Sequence, residues 1–96
     1  EVAPLEAVEE LLKKAEGLGI DLGDERLKFW LEEYISRKVN LGLSEEEAKR
    51  LASLVKEYNR SVGRMELMVN LWELQNWAWE NRDRLSGETL RLLDFL

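Results

Sequence analysis

Apolar residues recur at helical spacing from the start of the chain. Leu5, Val8, Leu11, Leu12 and Ala15 follow the i, i+3, i+4, i+7 rhythm of a helix with one buried face. Pro4 suits the first turn of that helix. Glu6, Glu9 and Glu10 crowd its N-terminal half and Lys13 and Lys14 its C-terminal half, which complements the helix dipole. Gly17 and Gly19 should end it. In the connector GLGIDLGD, Leu18, Ile20 and Leu22 alternate with polar residues. A strand there would have no partner elsewhere in the chain, so the expectation is a loop with packed side chains.

Asp24 can cap a second helix over Glu25–Asn40, with Leu27, Trp30, Leu31, Tyr34, Ile35 and Val39 as its buried stripe. Glu32, Glu33, Arg37 and Lys38 face water, and Gly42 stops it. Ser44-Glu45-Glu46-Glu47 is a capping box, with Leu43 and Ala48 in the positions of a hydrophobic staple. Ala48, Leu51, Ala52, Val55 and Tyr58 then face inward, and this third helix fades over Asn59–Gly63. A long fourth helix is predicted over Met65–Leu85, whose apolar positions cover an arc of about 220° rather than the usual stripe of about 100°. On that helix Trp72 and Trp79 share a core-facing side, while Trp77 points toward the polar side. Ser86-Gly87 breaks the helix, and Ser86 caps a short last one carrying Leu90, Leu93 and Leu96. The fold class expected is all-α, a compact bundle of four helices plus a short C-terminal helix, forming a single domain over residues 1–96.

Composition narrows the chemistry. With no Cys and no His among 96 residues, thiolate and Ser-His or Cys-His nucleophiles are absent, as are the His-containing zinc and di-iron sites. No apolar run approaches the roughly 20 residues that span a bilayer, and no signal-peptide pattern opens the chain. A cytoplasmic location without membrane contact is the expectation. The net charge of −6 disfavours non-specific attraction to nucleic acid. Many Glu, Lys and Arg with little Gln resemble the bias of heat-adapted proteins. The chain lacks an initial Met and ends on LLDFL, so it is expected to be a domain cut from something longer.

Three features could carry function. The acid groups Glu9-Glu10, Glu32-Glu33 and Glu45–Glu47 could in principle hold magnesium. Each lies on the polar side of its own helix, however, and reads as a solvated or capping group. Trp77, harder to bury alongside Trp72 and Trp79, could cover another chain, since tryptophan is enriched at interface anchors. The third feature is Arg60-Ser61-Val62-Gly63-Arg64, at the entrance to the predicted fourth helix. A cation in a first helical turn opposes the dipole, so Arg64 makes sense if an anion comes there. Ser61 can cap, Gly63 lets a ligand approach the backbone, and free N–H groups would point outward. The alternative is an arginine in solvent, paired with Glu66 or Glu57.

From about Asp24 onward these signals come in a recognisable order. The helix 25–40 leads through a short loop to Leu43-Ser44-Glu45-Glu46-Glu47-Ala48, then to Ser61-Val62-Gly63-Arg64-Met65-Glu66. The long helix and Ser86-Gly87-Glu88-Thr89-Leu90 follow. Over about three quarters of the chain, this order resembles the C-terminal helical lid of AAA+ ATPases. The resemblance implies that Arg64 takes the place of the second sensor, reaching the γ-phosphate of ATP held by a neighbouring core. That core is missing: the chain has no GxxxxGK[ST] loop and no strand-rich half, and the helix before Gly17 has no counterpart in the simplest lids. On this resemblance the chain binds no cofactor alone, meets ATP only beside a parent ATPase, and is not an enzyme by itself. Two other classes stay open. One is a stand-alone helical interaction module, homodimeric or bound to another protein, using Trp77, Trp72 and Trp79. The other is an accessory nucleic-acid-binding bundle using Arg50, Lys56, Arg60 and Arg64.

Overall fold

In the computed structural model, which describes residues 3–63 and 67–94, every regular element is helical. Helix α1 spans Leu5–Gly17, α2 Glu25–Leu41, α3 Glu45–Val62, α4 Trp72–Glu80 and α5 Gly87–Asp94; a single 3-10 turn, Arg82–Arg84, joins the last two. The radius of gyration is 13.1 Å, against about 13 Å expected for a folded chain near this length.

The first three helices follow local chemistry. Pro4 precedes α1, and its carbonyl accepts from Ala7 and Val8. At the far end Gly19, at φ 75°, closes a Schellman motif: Ile20 N–H bonds to Ala15 and Gly19 N–H to Glu16. Asp24 caps α2 by accepting from the Arg26 amide at 2.7 Å. The capping box of α3 is complete, with Ser44 Oγ accepting from Glu47 N–H and the Glu47 carboxylate accepting from Ser44 N–H. Because Ser44 N–H is the foremost cause, with Lys38 second, the Glu47 carboxyl is held below its ordinary value of 4.5. Leu43 and Ala48, the two staple positions, are both buried.

Helix α3 packs on α1 and α5, and α4 packs on α2 and α5. Val8, Leu31, Ile35, Leu51, Val55, Leu74 and Leu93 are fully buried where these helices meet. Polar side chains tie the layers together. Arg50 on α3 bonds to Glu6 at 2.6 Å and to Glu9, both on α1; Lys38 on α2 reaches Glu47 at 3.2 Å. The Tyr34 hydroxyl donates to the Ala3 carbonyl and that of Tyr58 to the Leu22 carbonyl. Burial pushes both phenols above their ordinary value. Among the described residues no buried side-chain polar atom lacks a partner.

Several expectations need correction. Leu11 on α1 and Leu18 and Ile20 in the connector are exposed; only Leu22 of that loop packs on the core. Trp30 stacks on Tyr34 at 5.8 Å between ring centroids but stays partly open to solvent.

The largest difference is in the fourth helix, which begins at Trp72, not Met65, and ends at Glu80, not Leu85. Residues 68–71 are not helical, and burial alternates there: Leu67, Val69 and Leu71 are buried, Met68 and Asn70 exposed. The cause lies in side chains from other helices. Asn59 Oδ1 on α3 accepts from Val69 N–H at 2.8 Å, and Glu32 Oε2 on α2 accepts from Asn70 N–H at 2.9 Å. Asn70 Oδ1 in turn accepts from Trp72 N–H at 2.9 Å. These amides are committed before a helix can claim them, and Asn70 serves as a local stop and start signal. The wide apolar arc is an artefact of reading two periods as one.

Candidate interaction surface

Shortening α4 changes which tryptophan faces the core. Its buried side is Leu74, Trp77 and Ala78, the i, i+3, i+4 stripe of a surface helix. Trp77 is only 8% exposed, whereas Trp72 and Trp79 are each 66% exposed. Sequence spacing led to the opposite expectation. Trp72 and Trp79 do share a face, since seven residues make nearly two turns, but that face is turned to solvent. A helix run continuously through Val69 and Leu71, which are not helical, puts the buried set out of phase.

The exposed face has defined surroundings. The Arg82 guanidinium lies 4.2 Å over the Trp79 ring, and Arg82 also donates to the Trp79 carbonyl at 2.7 Å. Trp72 lines a recess of about 130 Å³ with Glu32, Ile35, Ser36, Asn70 and Glu73. A second recess of about 300 Å³, lined by Val39, Asn40, Glu73, Asn76, Trp77 and Glu80, continues along the seam of α2 and α4. Phe29, one helical turn before Glu32 on the same ridge of α2, is also exposed. It was missed from sequence, although its place outside the α2 stripe was the available signal.

The predicted phosphate corner looks different in structure. Gly63 is left-handed, φ 68° and ψ 7°, and its N–H donates to the Asn59 carbonyl as the C-terminal cap of α3. It therefore closes the carbonyl end of a helix, and its amide is not free as expected. Ser61 is exposed in the last turn of α3. There it borders a groove of about 650 Å³ between α1 and α3, floored by Leu12, Leu22, Leu54 and Tyr58. Arg64 lies outside the described residues, as do Met65 and Glu66.

The basic residues of the nucleic-acid alternative are divided. Arg50 is turned to α1 by Glu6 and Glu9. Arg60 is held by Glu57 at 2.6 Å, which raises its pKa. Lys56 and Arg60 border a concavity of about 480 Å³ with Asn59, Asn70 and Gln75. The candidate acid groups are likewise engaged: Glu9 with Arg50, Glu33 with Arg37, Glu32 with the Asn70 amide and Glu45 with the Ser86 amide. Among the described residues no three acids converge as a metal site would require. No described helix is long and apolar enough to cross a membrane. Comparison of the chain with protein-family models, curated proteins and solved structures found no match.

Proposed function

We propose that this chain is a helical protein-interaction module whose contact surface is the outer face of α4. The observation that carries the reading is the pair Trp72 and Trp79, two-thirds exposed on one face of a helix whose other face fills the core. Scattered exposed apolar residues need no explanation, but two aromatic side chains aligned on one helix do. Tryptophan is enriched among residues that carry binding energy. Selecting peptides from a displayed library against the folded chain tests the reading. Selected peptides should lose about tenfold or more in affinity for Trp72→Ala plus Trp79→Ala, with the helical circular dichroism unchanged. Peptides indifferent to both substitutions would overturn it.

A second reading is the lid-type domain, with Arg64 turned to the γ-phosphate of ATP on an adjoining nucleotide core. It is supported by the order α2, box-capped α3 and glycine turn, and by the Lys56–Arg60 concavity on that side of α3. It requires a long helix directly behind the arginine, where residues 68–71 are non-helical, and it therefore ranks second. A phosphate-loop domain encoded upstream in the same gene would favour it; a gene that begins with this chain would count against it.

A further inference from the structure

The face around Trp72 and Trp79 has a charge sign, and that sign specifies a partner. Glu73 and Glu80 are also seven residues apart and run as a stripe beside the tryptophans. Glu32, on the adjoining ridge of α2, opens into the same recess as Trp72 and Glu73. Among the described residues none of these three carboxylates makes an ion pair, although six other pairs form elsewhere on the surface. Arg82, the cation of α4's far edge, is already stacked on Trp79 and bonded to its carbonyl. It shows that this aromatic face accepts a guanidinium, and Trp72 has no such cation over it among the described residues.

Resting on the interaction reading above, we infer that the partner is a basic amphipathic helix. Its apolar side chains lie against Trp72 and Trp79, and its Lys or Arg side chains meet Glu73, Glu80 and Glu32. Two anchors seven residues apart on α4 are separated by about 10.5 Å, a spacing that a helix laid alongside repeats at its own i and i+7. The described residues present no strand edge on which an extended partner could build. A second copy of this chain is disfavoured by its net charge of −6. Antiparallel pairing through α4 would also set each acidic stripe against itself. An anionic lipid surface would be repelled by the same carboxylates.

The test uses a labelled helical peptide of roughly 16 residues, with one leucine stripe flanked by Lys and Arg, and a twin in which Glu replaces those cations. Anisotropy should show the basic peptide binding and the acidic twin not. Glu73→Gln plus Glu80→Gln should weaken binding about fivefold and flatten its salt dependence. Trp72→Ala plus Trp79→Ala should weaken it about tenfold or more. Equal binding of both peptides, each lost with the tryptophans, would overturn the charge inference and leave the interaction surface standing. Binding indifferent to the tryptophans, or no binding at all, would overturn both. Two further outcomes would replace the basic helix by another occupant. These are a tryptophan-dependent dimer in sedimentation equilibrium, or tryptophan-dependent binding to phosphatidylserine-containing vesicles.

Discussion

Helices α3 and α4 border the same core and are specified in opposite ways. Everything that starts, directs and ends α3 is written within it: Ser44 and Glu47 at one end, the stripe Ala48, Leu51, Ala52, Val55, Tyr58 along its length, and Gly63 at the other. Helix α4 has no such start of its own: its N-cap residue, Leu71, makes no side-chain bond, although its exit is held locally by Asn81, whose side-chain amide donates to the Trp77 carbonyl at 2.8 Å. Its entry is set by Asn70 and, at a distance, by Asn59 and Glu32. A helix of the first kind holds its phase against its neighbours. One of the second kind takes its phase from them, and with it the choice of which aromatic is buried.

The sharpest way to break this comparison is at the tryptophans. Trp77→Ala removes a side chain packed in the core and should cost about 3–5 kcal/mol, measured by urea unfolding. Trp72→Ala and Trp79→Ala, two-thirds exposed, should each change stability by no more than about 0.5 kcal/mol. Equal losses at all three would mean that α4 is not phased as described.

That contrast marks how far the sequence could be read. The all-α class, the caps at Asp24 and Ser44, the buried stripe of α3 and that of α2 apart from Trp30 were legible because each is a local relation among neighbouring residues. The burial of Trp77 was not, because it depends on where α4 begins. That start rests on hydrogen bonds from residues ten and thirty-eight positions away. A clue was present in the alternation of Leu67, Val69 and Leu71, a period of two inside a predicted period of 3.6. Asn70 was a second clue, a residue that competes with the helix for its own backbone. For the tryptophans, sequence spacing pointed to the wrong geometry: Trp77 is buried and Trp72 and Trp79 are exposed. The geometry at Gly63 differs for a related reason: a glycine expected to lead into the following helix caps the carbonyl end of α3.

A smaller effect tests the remote control of α4 directly. Asn59→Leu keeps much of the volume but removes the acceptor for Val69 N–H, leaving a partly buried donor unpaired at a cost of about 1–3 kcal/mol. Ser44→Ala at the start of α3 should cost about 1 kcal/mol, the loss of one cap bond. The two should differ in kind as well. Asn59→Leu should change the indole environments of α4 in NMR spectra, whereas Ser44→Ala should lower stability and leave those resonances in place. If Asn59→Leu leaves the α4 indoles untouched, the chain before Trp72 is held by something other than that bond.

The smallest effect joins the two regions. Glu45, in the first turn of α3, accepts from the Ser86 amide just ahead of α5. Its carboxyl is held below 4.5, first by that amide and then by the hydroxyls of Ser86 and Thr89. A carboxyl whose pKa is lowered on folding binds its proton less tightly in the native state than in the unfolded one. Its stabilisation is therefore complete above 4.5 and disappears as pH falls through the lowered native value. Glu45→Gln keeps an acceptor but not the charge, so its deficit in melting temperature should be smaller than that of Ser44→Ala near neutral pH. The deficit should then close as the parent is taken into acid, because protonation makes the same change in the native protein. A deficit that persists unchanged below the native pKa would assign the effect to packing around Thr89, and the charged link between α3 and α5 would be refuted.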